Sequence, residues 1–135
     1  MLLEPEVEAI PIEEEANVAP TTRSELSVED AQWLEMLEET IIKNMTNFHL
    51  TADFLSGLVA TSRVQLFRKV KKLTGLTLAQ YILEIRLTKA RTYLENREYT
   101  SVKAVAFAVG LKHVKNFSQQ FKKRFGKSPS KYLGN

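Results

Sequence analysis

Apolar residues return every three or four positions over most of residues 27–133, which is the spacing of an α-helix that buries one face. The first such stretch places Leu34, Leu37 and Ile41 on one face, and Ser27 before it is a residue type that caps helix starts. The same pattern predicts six further helices and no strand. These helices begin near Thr51, Ser62, Thr77, Ser101, Val114 and Ser128, and the hydroxyl residues among these positions are predicted N-caps.

Two pairs of the predicted helices are each joined by a short turn. The first pair turns at residues 60–61, and the second pair turns at Gly110. Two short helices joined in this way form a helix-turn-helix, in which the first helix braces and the second can enter a groove. A longer helix over about residues 78–95 lies between the pairs, and a capping box of Thr77 and Gln80 opens it.

A repeat in the chain matches this duplication. Residues 71–81 return 51 residues later as residues 122–132, with a basic pair, a glycine, a hydroxyl residue and a tyrosine in the same order. Upstream, residues 55–60 correspond to residues 105–110. A repeated small helical unit with basic residues indicates one binding module used twice.

These patterns predict an all-α protein of seven helices, with two helix-turn-helix subdomains joined by a long linker helix. The start of the chain combines prolines and glutamates without an amphipathic period, which is typical of a flexible linker or arm. The expected boundaries are residues 1–26 for the acidic arm, 27–76 for the first subdomain, 77–96 for the linker helix and 97–135 for the second subdomain.

The net charge of +3 hides a separation of charge along the chain. Residues 1–26 hold seven glutamates and one arginine, so their net charge is −6. Residues 46–135 hold seventeen lysines and arginines against four acidic residues, so their net charge is +13. A cationic folded body indicates a polyanionic partner, most often nucleic acid, and the alternative is a basic surface that serves solubility alone.

The outward face of the helix that follows Ser62 carries side chains suited to base edges. Arginine can bridge guanine, glutamine can pair with adenine, and an apolar side chain can contact the thymine methyl group. The candidate base-reading residues are Arg63, Val64, Gln65, Phe67 and Arg68, and the candidate phosphate contacts are Ser62, Lys71 and Lys72. Arg68 is the strongest candidate, and the alternative for Phe67 is packing against a neighbouring helix.

The helix from about Val114 offers a second set. Residues near the N-terminus of a recognition helix reach base edges, whereas phosphate contacts position the helix without reading sequence. The candidate base-reading residues are Lys115, Asn116 and Gln119, and the candidate phosphate contacts are Ser118, Lys122 and Lys123. His113 is interpreted as a polar turn residue.

Other chemistry finds little support in the sequence. The chain has no cysteine, its two histidines are 64 residues apart, and its five glycines form no phosphate-binding loop. We therefore expect no catalytic residue, no metal and no cofactor. There is no apolar run of membrane-spanning length and no signal peptide pattern, and we expect a cytoplasmic location.

A longer ordered signature runs through the second half of the chain. It consists of Ile85-Arg86-Leu87, Ala90, Leu94, Ser101-Val102, Ala106, Gly110, Phe117-Ser118, Phe121-Lys122-Lys123, Phe125-Gly126 and Ser128-Pro129. This signature resembles the C-terminal DNA-binding domain of the AraC/XylS family of transcription regulators, and the resemblance covers about residues 28–132. It implies two recognition helices that enter successive major-groove segments on one face of the DNA. The turn glycine that the family has in its first unit is Ala60 here.

The first half resembles a narrower subgroup. Leu34, Ile41-Ile42, Ser62-Arg63 and residues 66–69 are similar to the output domains of hybrid two-component regulators. That resemblance implies receiver, sensor and histidine kinase domains in a longer parent protein, which can be anchored in the inner membrane and can dimerise through those domains. Residues 1–26 would be the linker from the receiver, and this chain would be a fragment. Any kinase activity would lie outside it.

The sequence thus predicts a sequence-specific double-stranded DNA-binding domain of a bacterial transcription activator, with RNA polymerase as a further partner. The alternative is a helical protein-interaction module that binds an acidic partner. RNA binding is a third reading, but the strand-borne aromatic residues of common RNA-binding modules are missing.

Overall fold

A computed structural model describes residues 25–134, so most of the predicted arm lies outside the described residues. The described part contains seven helices and no strand, which confirms the all-α prediction. The helices are α1 (Val28–Lys43), α2 (Ala52–Leu58), α3 (Arg63–Thr74), α4 (Leu78–Glu95), α5 (Val102–Ala108), α6 (Val114–Phe125) and α7 (Pro129–Tyr132).

The chain divides into two compact units. The first contains α1, α2, α3 and the start of α4, up to Leu83. The second contains the remainder of α4 together with α5, α6, α7 and the short segment Met45–Phe48. That segment lies between α1 and α2 in the sequence.

The first unit is held by apolar side chains at the predicted helical spacing. Leu34, Leu37 and Ile41 of α1 are at most 1% exposed, and Leu55 and Leu66 are fully buried. Three hydroxyl caps begin its helices as expected. The Ser27, Thr51 and Ser62 hydroxyls each accept the backbone N–H three residues later at 3.1 Å. A cap of this kind contributes about 1 kcal/mol.

The second unit has an aromatic core. Phe117 and Phe121 of α6 are buried, and the Phe121 ring packs against the Phe125 and Tyr132 rings with centroid distances of 4.8 and 5.6 Å. The Ser101 hydroxyl caps α5, as predicted, by accepting the Ala104 N–H at 3.0 Å. The α6 helix thus turns its phenylalanines inward and leaves its polar side chains outside.

Thr77 and Gln80 form the predicted capping box at the start of α4. The Thr77 hydroxyl accepts the Gln80 N–H at 3.1 Å, and the Gln80 side-chain oxygen accepts the Thr77 N–H at 3.0 Å. Ser128 occupies the predicted N-cap position of α7, but its side chain makes no hydrogen bond to the helix backbone. Its hydroxyl lies 3.2 Å from that of Ser130 instead.

The turns of the two helix-turn-helix motifs have the same handedness but different residues. Gly110 has a φ of +83°, and Ala60, at the corresponding place in the first unit, has a φ of +54°. An alanine in this left-handed region costs roughly 1–2 kcal/mol. The first turn therefore carries backbone strain that the second avoids.

Candidate nucleic-acid interface

The α3 helix presents one apolar face inward and one mixed face to solvent. Leu66 and Val70 are fully buried, whereas Gln65 and Arg68 are exposed and Val64 is 49% exposed. The exposed residues lie in the first half of the helix, next to the turn. That is the part of a recognition helix that reaches base edges in helix-turn-helix complexes.

Arg63 is braced at the start of α3. Its guanidinium lies over the Phe67 ring, 5.6 Å from the centroid, and its Nε is 3.9 Å from the Asp53 carboxylate on α2. The side chain of Asp53 is 80% exposed, so the ion pair is screened by water and contributes little to stability. The Phe67 ring is therefore the main support of the guanidinium at the helix start.

Phe67 does not lie on the outward face of α3, contrary to the prediction from the sequence. This side chain was expected on the outward face, but it is only 3% exposed. The ring packs inside the first unit and supports Arg63, as the alternative interpretation held. A ring with so little accessible surface cannot contact a base edge without leaving its site, so Phe67 is removed from the base-reading candidates.

The phosphate candidates of the first unit differ in availability. The exposed Ser62 hydroxyl caps α3, and Lys72 is exposed. Lys71 is half-buried, and its ammonium donates to the Gly75 carbonyl at 3.1 Å. Lys71 must give up this contact with the helix end before it can bind a phosphate.

Lys69 is held against α1. Its ammonium lies 3.7 Å from the Asp30 carboxylate and 4.5 Å from the centroid of the Trp33 ring. This cation supports the packing of α3 on α1 within the first unit. It is not one of the candidate DNA contacts.

The α6 helix presents the second set of candidates. Lys115 and Gln119 are exposed, and Asn116 is half-buried. Among the phosphate candidates, Lys122 and Lys123 are exposed on the last turn, and Ser118 is half-buried. His113 stands at the N-cap position without a side-chain cap hydrogen bond.

Arg86, which the sequence presents only as part of the family signature, is a buried structural residue. Its side chain is 2% exposed and donates to the carbonyl oxygens of Met45 at 3.2 Å and Asn47 at 3.0 Å. Burial lowers the pKa of this guanidinium to about 10, so it remains charged at neutral pH. A sequence signal existed, because Arg86 lies four residues from both Ile82 and Ala90 on a buried stripe of α4.

Arg124 on α6 makes an ion pair with Glu84 on α4. Its Nε and Nη2 donate to the two carboxylate oxygens at 2.8 and 2.6 Å. The hydrogen bond from Arg124 holds the pKa of the Glu84 carboxyl below its usual value. The pair fixes the last turn of α6 on α4, so Arg124 serves the scaffold while Lys122 and Lys123 face solvent.

The described residues offer few other kinds of site. Within residues 25–134 no cluster of three or more His, Asp or Glu side chains could hold a metal ion. In the same range, no helix combines the length and the apolar character needed to cross a bilayer.

The two short helix pairs, each with a polar, cationic second helix, define a helix-turn-helix DNA-binding domain. A family model described as a helix-turn-helix domain matches residues 55–135. The chain belongs to the AraC-type family of helix-turn-helix domains, which are DNA-binding domains of transcription regulators. This confirms the resemblance drawn from the sequence.

Individual relatives agree with this assignment. Histidine kinase P4 of Formosa agariphila is 33% identical over 119 residues, which are 87% of this chain and 9% of the kinase. The bifunctional transcriptional activator and DNA repair enzyme AdaA of Bacillus subtilis is 31% identical over 120 residues, which are 87% of this chain and 56% of AdaA. The chain therefore spans little more than half the length of AdaA and a small fraction of the length of the kinase.

A solved structure has the same fold. The crystal structure of an AraC-type transcriptional regulator from Chromobacterium violaceum matches with a TM-score of 0.70 and 25% identity. The match covers 80% of this chain and 95% of the other chain.

Proposed function

We propose that this domain binds double-stranded DNA by placing α3 and α6 in two successive major-groove segments. The observation that carries the proposal is the repetition of one arrangement. In each unit the second helix of the pair buries its apolar face, exposes polar side chains in its first half and ends in lysines.

Base reading is assigned to the exposed and half-buried residues in the first halves of these helices. They are Arg63, Val64, Gln65 and Arg68 on α3, and Lys115, Asn116 and Gln119 on α6. Their side chains match the hydrogen-bonding and methyl groups of base edges in the major groove. Because the two sets differ in chemistry, the two half-sites should differ in sequence.

Phosphate contacts are assigned to Ser62, Lys71 and Lys72 in the first unit and to Ser118, Lys122 and Lys123 in the second. Such contacts set the register of a protein on the duplex and supply much of its salt-dependent affinity. In this proposal residues 77–96 are the linker between subdomains 27–76 and 97–135, and residues 1–26 are an acidic arm.

The proposed biological setting is transcription activation by a two-component regulator. A histidine kinase and a transcriptional activator among the relatives support this setting. In it, this chain is the output domain of a longer cytoplasmic or membrane-anchored protein, receiver and sensor domains control it, and RNA polymerase is its partner at the promoter. Dimerisation would use the other domains.

Selection of bound sequences from random duplex DNA tests the proposal. We expect two unlike half-sites separated by about one helical turn, or 10–10.5 base pairs, and an affinity that falls steeply with salt. Selected sequences without any shared motif would contradict base reading. Binding to acidic proteins but not to duplex DNA would favour the alternative, a protein-interaction module.

A further inference from the structure

The second unit carries an exposed aromatic pair with a lysine beside each ring. Phe107 on α5 is 41% exposed, and its ring meets the half-buried Phe48 ring edge-on with 5.8 Å between centroids. The Lys103 ammonium lies 5.7 Å from the Phe107 centroid, and the Lys112 ammonium lies 6.0 Å from the Phe48 centroid. These four side chains are called the α5 patch.

The repeat provides an internal comparison for this patch. With residues 55–60 matched to 105–110, Lys103 corresponds to Asp53 and Phe107 corresponds to Gly57. The first unit therefore has the opposite charge at one position and no side chain at the other, and the space around Gly57 is open. In both units the first helix of the pair braces the recognition helix. Bracing therefore does not explain why only the second unit has an aromatic ring and a cation at these two positions.

The chemistry of the α5 patch indicates what would cover it. Exposed aromatic rings favour an apolar partner, and a rim of lysines favours carboxylates. Residues 99–135 contain eight lysines and arginines and no acidic residue, so this segment supplies no carboxylate to pair with the patch lysines. A DNA backbone supplies negative charge, but its apolar surface is limited to the small C–H edges of the sugars, which cover two aromatic rings poorly. The patch thus fits an acidic protein segment that carries an aliphatic or aromatic side chain.

We propose that the α5 patch is the surface through which this domain contacts an acidic segment of RNA polymerase. The proposal rests on the proposed activator function, because an activator that recruits RNA polymerase to a promoter does so through a protein contact. Phe107 would be the central anchor of the interface, and Lys103 and Lys112 would pair with carboxylates around it.

The test compares activation with DNA affinity in the same variants. Transcription by purified RNA polymerase is measured from a promoter that carries a selected binding site, and affinity for that site is measured in parallel. We expect Phe107→Ser to lower activation about tenfold, the effect of losing one interface anchor, while affinity for DNA changes less than about twofold. Phe54→Ser is the matched control, because Phe54 is 40% exposed on α2.

Lys103→Asp is the second variant, and it leaves both rings in place. It introduces the residue type found at the corresponding position 53, and we expect the same loss of activation, with Lys103→Arg retaining activity. Urea unfolding shows whether each variant is folded.

Three outcomes would overturn the assignment. Loss of DNA affinity in step with activation would make the patch a DNA contact, and full activation by Phe107→Ser and Lys103→Asp would leave it without a role. A similar loss in Phe54→Ser would mean that the effect is not specific to the patch. If the unmodified chain binds its site without activating, the activator function itself fails, and the polymerase contact fails with it.

Discussion

Arg68 is an exposed cation in the first half of α3, where contacts with base edges are expected. If Arg68 bridges a guanine, Arg68→Ala should weaken the free energy of DNA binding by about 1–3 kcal/mol and relax the preference at one base position. The measurement is the affinity of both proteins for the selected site and for its single-base variants. An equal loss on every sequence would instead identify Arg68 as a phosphate contact.

Lys122 is an exposed cation on the last turn of α6, where contacts with DNA phosphates are expected. We expect Lys122→Ala to weaken binding by a similar factor on all sequences and to reduce the slope of affinity against salt by about one unit. Lys122→Arg keeps the charge and serves as the control. A change in base preference without a change in the salt slope would contradict this assignment.

Arg86 is the residue whose environment is most unusual, because a charged side chain is buried against two backbone carbonyls. Arg86→Met removes a costly buried charge but leaves both carbonyls without their donors. Because hydrogen bonds from a charged donor are strong, we expect a net destabilisation of about 2 kcal/mol, measured by urea unfolding. Arg86→Lys keeps a charged donor group, although without the planar guanidinium geometry, and should lose less stability. A more stable Arg86→Met would show that the cost of burying the charge dominates.

At the scale of elements, the sequence predicts best what depends on neighbouring residues. The predicted caps Ser27, Thr51, Ser62 and Ser101 are confirmed, because a cap depends on a local side-chain hydrogen bond. Ser128 is predicted on the same grounds but makes no such bond. The burial of Phe67 and the partners of Arg86 depend on contacts made elsewhere in the fold. The Arg86–Met45 hydrogen bond joins residues 41 positions apart in the sequence, and helical periodicity gives no information on contacts at that separation.

Gly110 and Gly126 have nearly equal φ angles but different surroundings, so substituting each of them separates the conformational penalty from steric overlap. Gly110 and Gly126 have φ values of +83° and +79°. A Cβ at position 126 meets open space, whereas a Cβ at position 110 would overlap the Met45 carbonyl oxygen and lie 3.0 Å from the Arg86 guanidinium. The turn of the second helix-turn-helix is therefore built around segment Met45–Phe48.

We expect Gly126→Ala to cost about 1–2 kcal/mol, which is the conformational penalty alone. Gly110→Ala should cost at least about 3 kcal/mol, because the overlap is with backbone and cannot be relieved by rotating a side chain. Urea unfolding of the two variants measures the difference. Equal destabilisation would mean that the Met45 carbonyl moves away easily.

At the scale of the whole molecule, charge and contacts are distributed differently along the sequence. The charge changes sign once, from −6 over residues 1–26 through the acidic α1 region to +13 over residues 46–135. The compact units instead interleave, because Met45–Phe48 belongs with the second unit. Composition reveals the separation of charge. It does not reveal the interleaved units, because they depend on long-range hydrogen bonds such as those of Arg86.

The charge separation leads to a prediction about regulation by residues 1–24, which lie outside the described part of the chain. Six of their residues are glutamates, and glutamates attached to a cationic DNA-binding body should repel phosphate and compete with it for lysines. Deleting residues 1–24 should therefore raise DNA affinity by about three- to tenfold at about 50 mM salt. The gain should shrink at high salt, where screening removes long-range interactions. Replacing the six glutamates by glutamine in the full chain separates charge from bulk: an equal gain assigns the effect to charge, and a gain on deletion alone assigns it to bulk and contradicts the electrostatic account.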